Sequence, residues 1–366
     1  MPEINIKQYG AKGDGLTDDS AVFQKAVDSF KTTGGTLIIP DGTYKASFTI
    51  STSNIFVQGT GIIKGSINLY GQVSLNDRYA GSGNIRIEGI TIAGDKVRNG
   101  INCKWFFGVR ISNVRFVNCL KAVNFEKVDK TQHCSRFVIS ENHLIDCNYG
   151  LYVDFIQPTD GGEFGVGDVH FSNNMYEARA NYQGGFGNVY HIWANGLDGL
   201  LCKGNTFFFG HTGAEKSNIY IDGFNWLIVE GNNLFEAPEN GITCKNGSNM
   251  VITNNNVAWA KKYSIYLSNI LCGIVSTNNL SSKIGEDIPN VGVYVEKSPY
   301  FLGNISNNNI FFPGLYAIQV KDSSYVNING NVGRGQFGKA QAVKVDTPTT
   351  SIMVGQNSNQ FTYFKS

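Results

Sequence analysis

The sequence predicts an all-β protein: a right-handed parallel β-helix with a short N-terminal α-helical cap. Three observations predict it. First, between Asn218 and Asn269 the segments NWLIVEGNNLF and NMVITNNNVAW superimpose, with NIYIDG, GITCKNG and SIYLSN in step behind them. Self-similarity of this kind marks a repeat architecture. Second, an asparagine precedes a short apolar or aromatic run at Asn113, Asn142, Asn174, Asn205, Asn233, Asn256, Asn279, Asn309 and Asn331, at intervals of about 22 to 32 residues. Third, the runs are short, alternate apolar with polar, and close on Asn or Gly, with no helical period between them. Coils of this size pair about 4.8 Å apart, and asparagines in step stack their amides into a ladder. The right hand follows the crossover preference of parallel strands.

Taken in order, residues 1–45 form the cap. INIKQYGAKGDG leads into LTDDSAVFQKAVDSF, where Ala21, Val22, Ala26, Val27 and Phe30 keep helical spacing. Thr17, Asp18 or Asp19 serves as the helix start and Gly34-Gly35 ends it. A helix placed there covers the open end of the core, which would otherwise invite association. Residues 46–346 are the β-helix proper. Its early coils have short loops. From Asn113 to Asn256 the spacing lengthens, and the excess is inserted loop: 157–168, 178–188 and 209–217. These insertions fall on consecutive coils and stand side by side, where recognition usually sits. Residues 347–366 still alternate but lose the asparagine register, as a last half-coil or an oligomer-contact tail. Any anchoring head or C-terminal module lies outside this chain.

Composition bounds the function. With 366 residues the chain can bury a large core, and 16% charged residues with 43 glycines suit a turn-rich β protein. A net charge of +1 offers no general attraction for nucleic acid. No apolar run reaches the length of a membrane-spanning helix, and no signal peptide is visible. The seven cysteines include no CxxC pair, and Cys103, Cys244, Cys202 and Cys272 fall on inward or near-inward positions, as buried thiols do; no metal or cofactor is expected. The sequons at Asn246 and Asn304 are chance matches, and GAKGDG lacks the GK[ST] ending of a phosphate loop.

The segment NIKQYGAKGDGLTDDSAVFQKAVDSF…GGTLIIPDGTY resembles the N-terminal signature of the pectate-lyase superfamily, nearest its branch of phage tailspikes and extracellular glycan depolymerases. The resemblance covers residues 4–44. It implies the fold, a homotrimer, and a place on the virion tail or outside the cell. It does not imply one chemistry. The NTD, DD, HG and RIK series of the polygalacturonate hydrolases is absent, as is the DPH segment of the epimerases, so no catalytic residue is carried over.

Alternation sorts the second strand of each coil into inward residues and two outward columns. One column reads Asn124, Tyr152, His191, Tyr220, Thr243, Tyr266, Tyr294, Gln319, Lys344. The other reads Glu126, Asp154, Trp193, Asp222, Lys245, Ser268, Glu296, Lys321, Asp346. Exposed aromatic rings stack on the apolar faces of sugars, so Tyr152, His191, Trp193, Tyr220 and Tyr266 are the candidate substrate-binding residues. The same stripe would also serve to stabilise the sheet. Asp154 and Asp222 stand two coils apart, roughly 9–10 Å, near the upper edge of an inverting carboxylate pair. Glu126 and Asp154 stand one coil apart, at a retaining distance. Glu163 on a wall loop, with Glu177 and Glu236 on the asparagine-ladder strand, are reserve catalytic carboxylates.

The function expected is that of a tailspike-type protein that binds and depolymerises a bacterial surface polysaccharide, capsule or O-antigen, by carboxylate-based hydrolysis. A lyase acting by β-elimination on a uronate, with Arg179, Lys203, Lys245 and Tyr220 at hand, is the alternative. A non-catalytic glycan-binding spike is the third.

Overall fold

A computed structural model describes the chain apart from residues 75–76, 127–133, 156–164, 179–189, 209–216, 238, 282–289, 312–313, 335–340, 347–350, 358–362 and 366. The chain divides into two units: residues 1–178 with 193–198, and residues 179–192 with 199–366.

In the first unit each coil contributes to three parallel stacks. One runs through Gly35–Ile39, Ile55–Gly59, Asp77–Glu88, Phe106–Ser112, Cys134–Ser140 and Val166–Ser172. A second runs through Phe48–Ile50, Ile67–Tyr70, Ile101–Lys104, Lys121–Phe125 and Tyr149–Asp154. Three-residue strands, among them Thr43–Lys45, Thr91–Ala93, His143–Ile145 and Met175–Glu177, make the third. The inward columns are mainly Ile, Val, Leu and Phe, with Cys134 in the first stack, Cys103 in the second and Tyr44 and Tyr176 in the third, all at or near zero exposure, as a parallel stack enclosing its own core requires.

The helix spans Ser20–Asp28 and buries Phe23, Ala26 and Val27. Phe23 packs edge-on against Tyr44 with ring centroids 5.5 Å apart, and also lies against Phe48. Asp19 stands at the N-cap position but gives the helix no side-chain cap. Its buried carboxylate instead accepts from the amides of Lys12 and Gly13 at 2.8 and 3.0 Å, folding the GAKGDG loop back onto the helix start. The helix ends before the glycine pair, at Asp28, although Phe30 remains buried.

The second unit repeats the plan. Ser217–Glu230 and Asn240–Thr253 pair in register along both arms of a bend. Tyr263–Ile270, Val291–Glu296, Tyr316–Lys321 and Gln341–Asp346 continue one arm, and Cys272–Ser276, Leu302–Ser306 and Val326–Asn329 the other. The bend is a corner in the left-handed region. Gly223, Asn246 and Asn269 stack there at φ 67°, 50° and 54°, a conformation that Gly and Asn tolerate best. Short strands from Thr206–Phe208 to Val332–Arg334 close each coil.

The asparagine ladder exists, one residue away from several of the expected positions. In the second unit it runs Asn205, Asn232, Asn255, Asn278, Asn308, Asn331, Asn357. Each side-chain oxygen accepts both the backbone and side-chain N–H of the preceding member at 2.9–3.1 Å. In the first unit Asn142 and Asn174 form the same pair. Asn233, Asn279 and Asn309 are exposed second members of doublets, and Asn256 is half-buried. Asn113 also faces solvent. The register also reaches the tail: Asn357 carries it, and Met353–Val354 pairs beside Val326–Asn329.

Candidate functional site

In the second unit the two columns hold in register, but Thr243 and Tyr294 of the first column are buried instead of facing solvent. Tyr220, Thr243, Tyr266, Tyr294, Gln319 and Lys344 are register partners, and so are Asp222, Lys245, Ser268, Glu296, Lys321 and Asp346. Part of these columns, with residues beside them, lines a groove of about 440 Å³ that includes Tyr190, Tyr220, Tyr263, Tyr266, Tyr294, Lys245, Lys262, Glu239 and Glu296.

The groove is locked by its own contacts. Tyr263 stacks on Tyr294 at 4.7 Å and on Tyr266 at 5.3 Å, with ring planes within 20° of parallel. Tyr266 and Tyr294 both donate to Glu296, at 2.5 Å to Oε1 and 3.1 Å to Oε2. Tyr220 donates to Asp222 at 3.1 Å, and Asn246 donates to the other oxygen of Asp222 at 2.7 Å. Lys262 bridges Glu239 at 3.2 Å and lies over the Tyr263 ring. Lys245 sits over both Tyr220 and Tyr266, its ammonium 5.3 and 5.8 Å from the ring centroids. Burial, then the neighbouring carboxylates, hold the hydroxyls of Tyr220 and Tyr294 well above the usual tyrosine value. For Tyr266 burial and its bond to Glu296 do the same. These phenols are therefore neutral donors at physiological pH, the reverse of what a phenolate base needs.

The first unit carries a smaller platform. Tyr152 stacks face to face on Trp193 at 4.6 Å and edge-on to Tyr149 at 4.9 Å. The Lys121 ammonium stands 3.4 Å from the Tyr152 centroid. Burial lowers the pKa of Lys121, with Asp154 and Glu126 opposing. Burial, then Asp154, pushes the Tyr152 hydroxyl up to about 12. Tyr152 reaches Asp154 at 3.5 Å, and Tyr70 donates to Glu126 at 2.6 Å.

Several sequence-derived positions are corrected. His191 is fully buried, stacked on Phe207 at 4.6 Å with Nδ1 facing the Asn218 amide at 3.2 Å. It therefore leaves the exposed stripe. Trp193, stacked on Tyr152, belongs to the tyrosine column instead of the carboxylate column. Glu177 lies on the short-strand stack beside His143, 3.3 Å away, and Glu236 follows the short strand Asn233–Phe235. Neither shares a face with the columns of its own unit. Glu163 and most of the three wall loops lie outside the described residues. Asp154 belongs to one unit and Asp222 to the other, each placed as above. Glu239, Lys262 and Tyr263 line the groove from outside both columns, whereas Tyr294 lines it from within the first. The signal for Tyr263 was present in YSIY, where Tyr263 and Tyr266 leave the strand on one side with two inward-packed residues between them.

Two comparisons with family models cover separate stretches. Residues 3–99 match the model described as rhamnogalacturonase A/epimerase, pectate lyase-like, and residues 217–358 match the right-handed β-helix region. By fold the chain is a right-handed parallel β-helix, with pectate lyase-like similarity over residues 3–99. Over 136 residues this β-helix is 34% identical to the pre-neck appendage protein of Bacillus phage B103, covering 33% of the chain but only 15% of that protein. Among solved structures the β-helix resembles the A-module of a mannuronan C-5 epimerase of Azotobacter vinelandii, at TM-score 0.70 and 14% identity over 96% of this chain and 99% of that one. It also resembles the tailspike of E. coli bacteriophage HK620 in complex with a hexasaccharide, at TM-score 0.58 and 9% identity over 96% and 78% of the two chains. At such identities these structures are likenesses of fold.

Proposed function

We infer that this β-helix binds a bacterial surface polysaccharide along its tyrosine columns and shortens it by carboxylate-based glycoside hydrolysis, as part of a phage tailspike or appendage. The observation that carries the reading is the groove of the second unit. Flat aromatic rings held rigid by stacking offer a sugar its apolar contact at little entropic cost. The carboxylates Glu239 and Glu296 line the groove, and Asp222 is the register neighbour of its Lys245, so that two of the three can divide the roles of acid and base. Similarity to a phage appendage protein and to the fold of a tailspike crystallised with a hexasaccharide supports the same assignment. A virion location and a homotrimer accompany it. Asp154, beside Tyr152 and Trp193, is a separate candidate carboxylate within the first unit. The raised tyrosine pKa values favour hydrolysis over β-elimination with a tyrosine base.

The test is incubation with capsule and O-antigen preparations, reading product size, new reducing ends and ultraviolet absorbance together. Hydrolysis gives shorter chains and reducing ends with no absorbance. Glu296→Gln, Glu239→Gln, Asp222→Asn and Asp154→Asn are run in parallel. Loss of a working acid or base should lower the rate about 10²- to 10⁴-fold. Absorbing products would replace this reading by elimination, and saturable binding without shortening would replace it by a receptor spike.

A further inference from the structure

Lys245 is unusual among the charged groups of the groove. Lys262 is neutralised by Glu239, whereas among the described residues no carboxylate lies within ion-pair distance of the Lys245 ammonium. The reason is local. Its register neighbour Asp222 has both oxygens engaged by neutral donors, Tyr220 and Asn246. Glu296, two rungs on, is likewise filled by Tyr266 and Tyr294. The ammonium is instead suspended over the Tyr220 and Tyr266 rings, half-buried and facing the groove. A cation desolvated on aromatic faces and left without a counter-ion is a preformed anion-recognition group.

We propose that Lys245 recognises a carboxylate on the bound sugar, so the polysaccharide is acidic, with its acidic residue seated at the Lys245 rung. The proposal rests on the glycan-binding reading above. Asp222 and Glu296 in the same column narrow it further. A polymer charged on every sugar would set carboxylates against these two as well, at a cost in like-charge repulsion. The favoured ligand is a heteropolysaccharide in which acidic sugars alternate with neutral ones.

The experiment uses the full chain and a panel of acidic capsular heteropolysaccharides, each paired with its carbodiimide-reduced neutral form, plus polymannuronate as a uniformly charged polymer. Binding is read by tyrosine fluorescence and calorimetry. The acidic forms should bind about tenfold to a hundredfold more tightly than the reduced forms, the range of a charge-assisted hydrogen bond. Lys245→Met should erase that difference by weakening the acidic forms more than the reduced forms, and Lys245→Arg should retain it. Polymannuronate should bind more weakly than the alternating polymers. Equal binding of acidic and reduced forms, with Lys245→Met silent, overturns the proposal but leaves glycan binding standing. Polymannuronate binding as tight as the best heteropolysaccharide overturns the spacing argument. No binding by any member of the panel overturns the underlying reading and this proposal with it.

Discussion

Asn255 and Asn256 are adjacent, identical in type, and opposite in role, so replacing each by alanine tests the ladder directly. In Asn255→Ala the lost carboxamide oxygen leaves the Asn232 backbone N–H, buried and bonded at 3.0 Å, without its acceptor. The Asn232 side chain loses a 2.9 Å bond but keeps the Cys202 carbonyl. The lost amide group withdraws bonds to Asn278 Oδ1 at 3.0 Å and to the Val229 carbonyl at 2.9 Å. One orphaned buried donor costs about 1–3 kcal/mol, and each of the three further bonds about 1 kcal/mol, for a total of about 4–6 kcal/mol. Asn256 is half-buried and accepts one bond, from Asn279 at 3.0 Å, so its alanine variant should lose no more than about 1 kcal/mol. Urea unfolding followed by far-ultraviolet circular dichroism measures both. Because coils of a solenoid open locally, amide exchange at Asn232 gives the site-specific reading. It should accelerate in Asn255→Ala and not in Asn256→Ala. Equal destabilisation by the two variants, or an unchanged Asn232 amide in Asn255→Ala, would refute the assignment of the ladder.

Other consequences are open to measurement. Trp193→Ala removes the stacking partner of Tyr152 and should weaken glycan binding about tenfold, with little change in thermal stability. Tyr266→Phe deletes one of the two donors to Glu296, so depolymerisation should fall more than binding does; parallel losses in both would argue against a catalytic role for Glu296. Tyrosine absorbance at alkaline pH should lag that of free tyrosine. The folded pKa is raised, to about 12 for Tyr152, so the stability these phenols contribute is fully present below about pH 10 and is lost as pH rises through the folded value. Of the seven cysteines six are buried and Cys272 is half-buried, so a maleimide should label Cys272 first, whereas burial keeps the thiols of Cys103, Cys202 and Cys244 protonated and slow.

Repeat spacing and alternation were enough to determine the parallel coils, the inward residues and, in the second unit, the register of both outward columns, though not the burial of Thr243 and Tyr294. Side chains alternate with period two, and stacked coils leave a residue one lateral neighbour on each side, so a one-dimensional pattern maps onto a face. The choices that needed tertiary structure are those in which alternation is locally silent. In the NN doublets either residue satisfies the composition, and the corner geometry decides which amide turns inward. Around His191 the pattern is two buried residues in succession, matching Asn218-Ile219 and Ser264-Ile265 in neighbouring coils. A reading in strict alternation therefore assigns His191 and Trp193 one place wrongly. The groove itself joins Glu239, Lys262 and Glu296 from three coils. Which of its charges end paired and which, like Lys245, are left facing the groove is settled by rotamers and hydrogen bonds between rungs, interactions that join residues more than twenty positions apart in the chain.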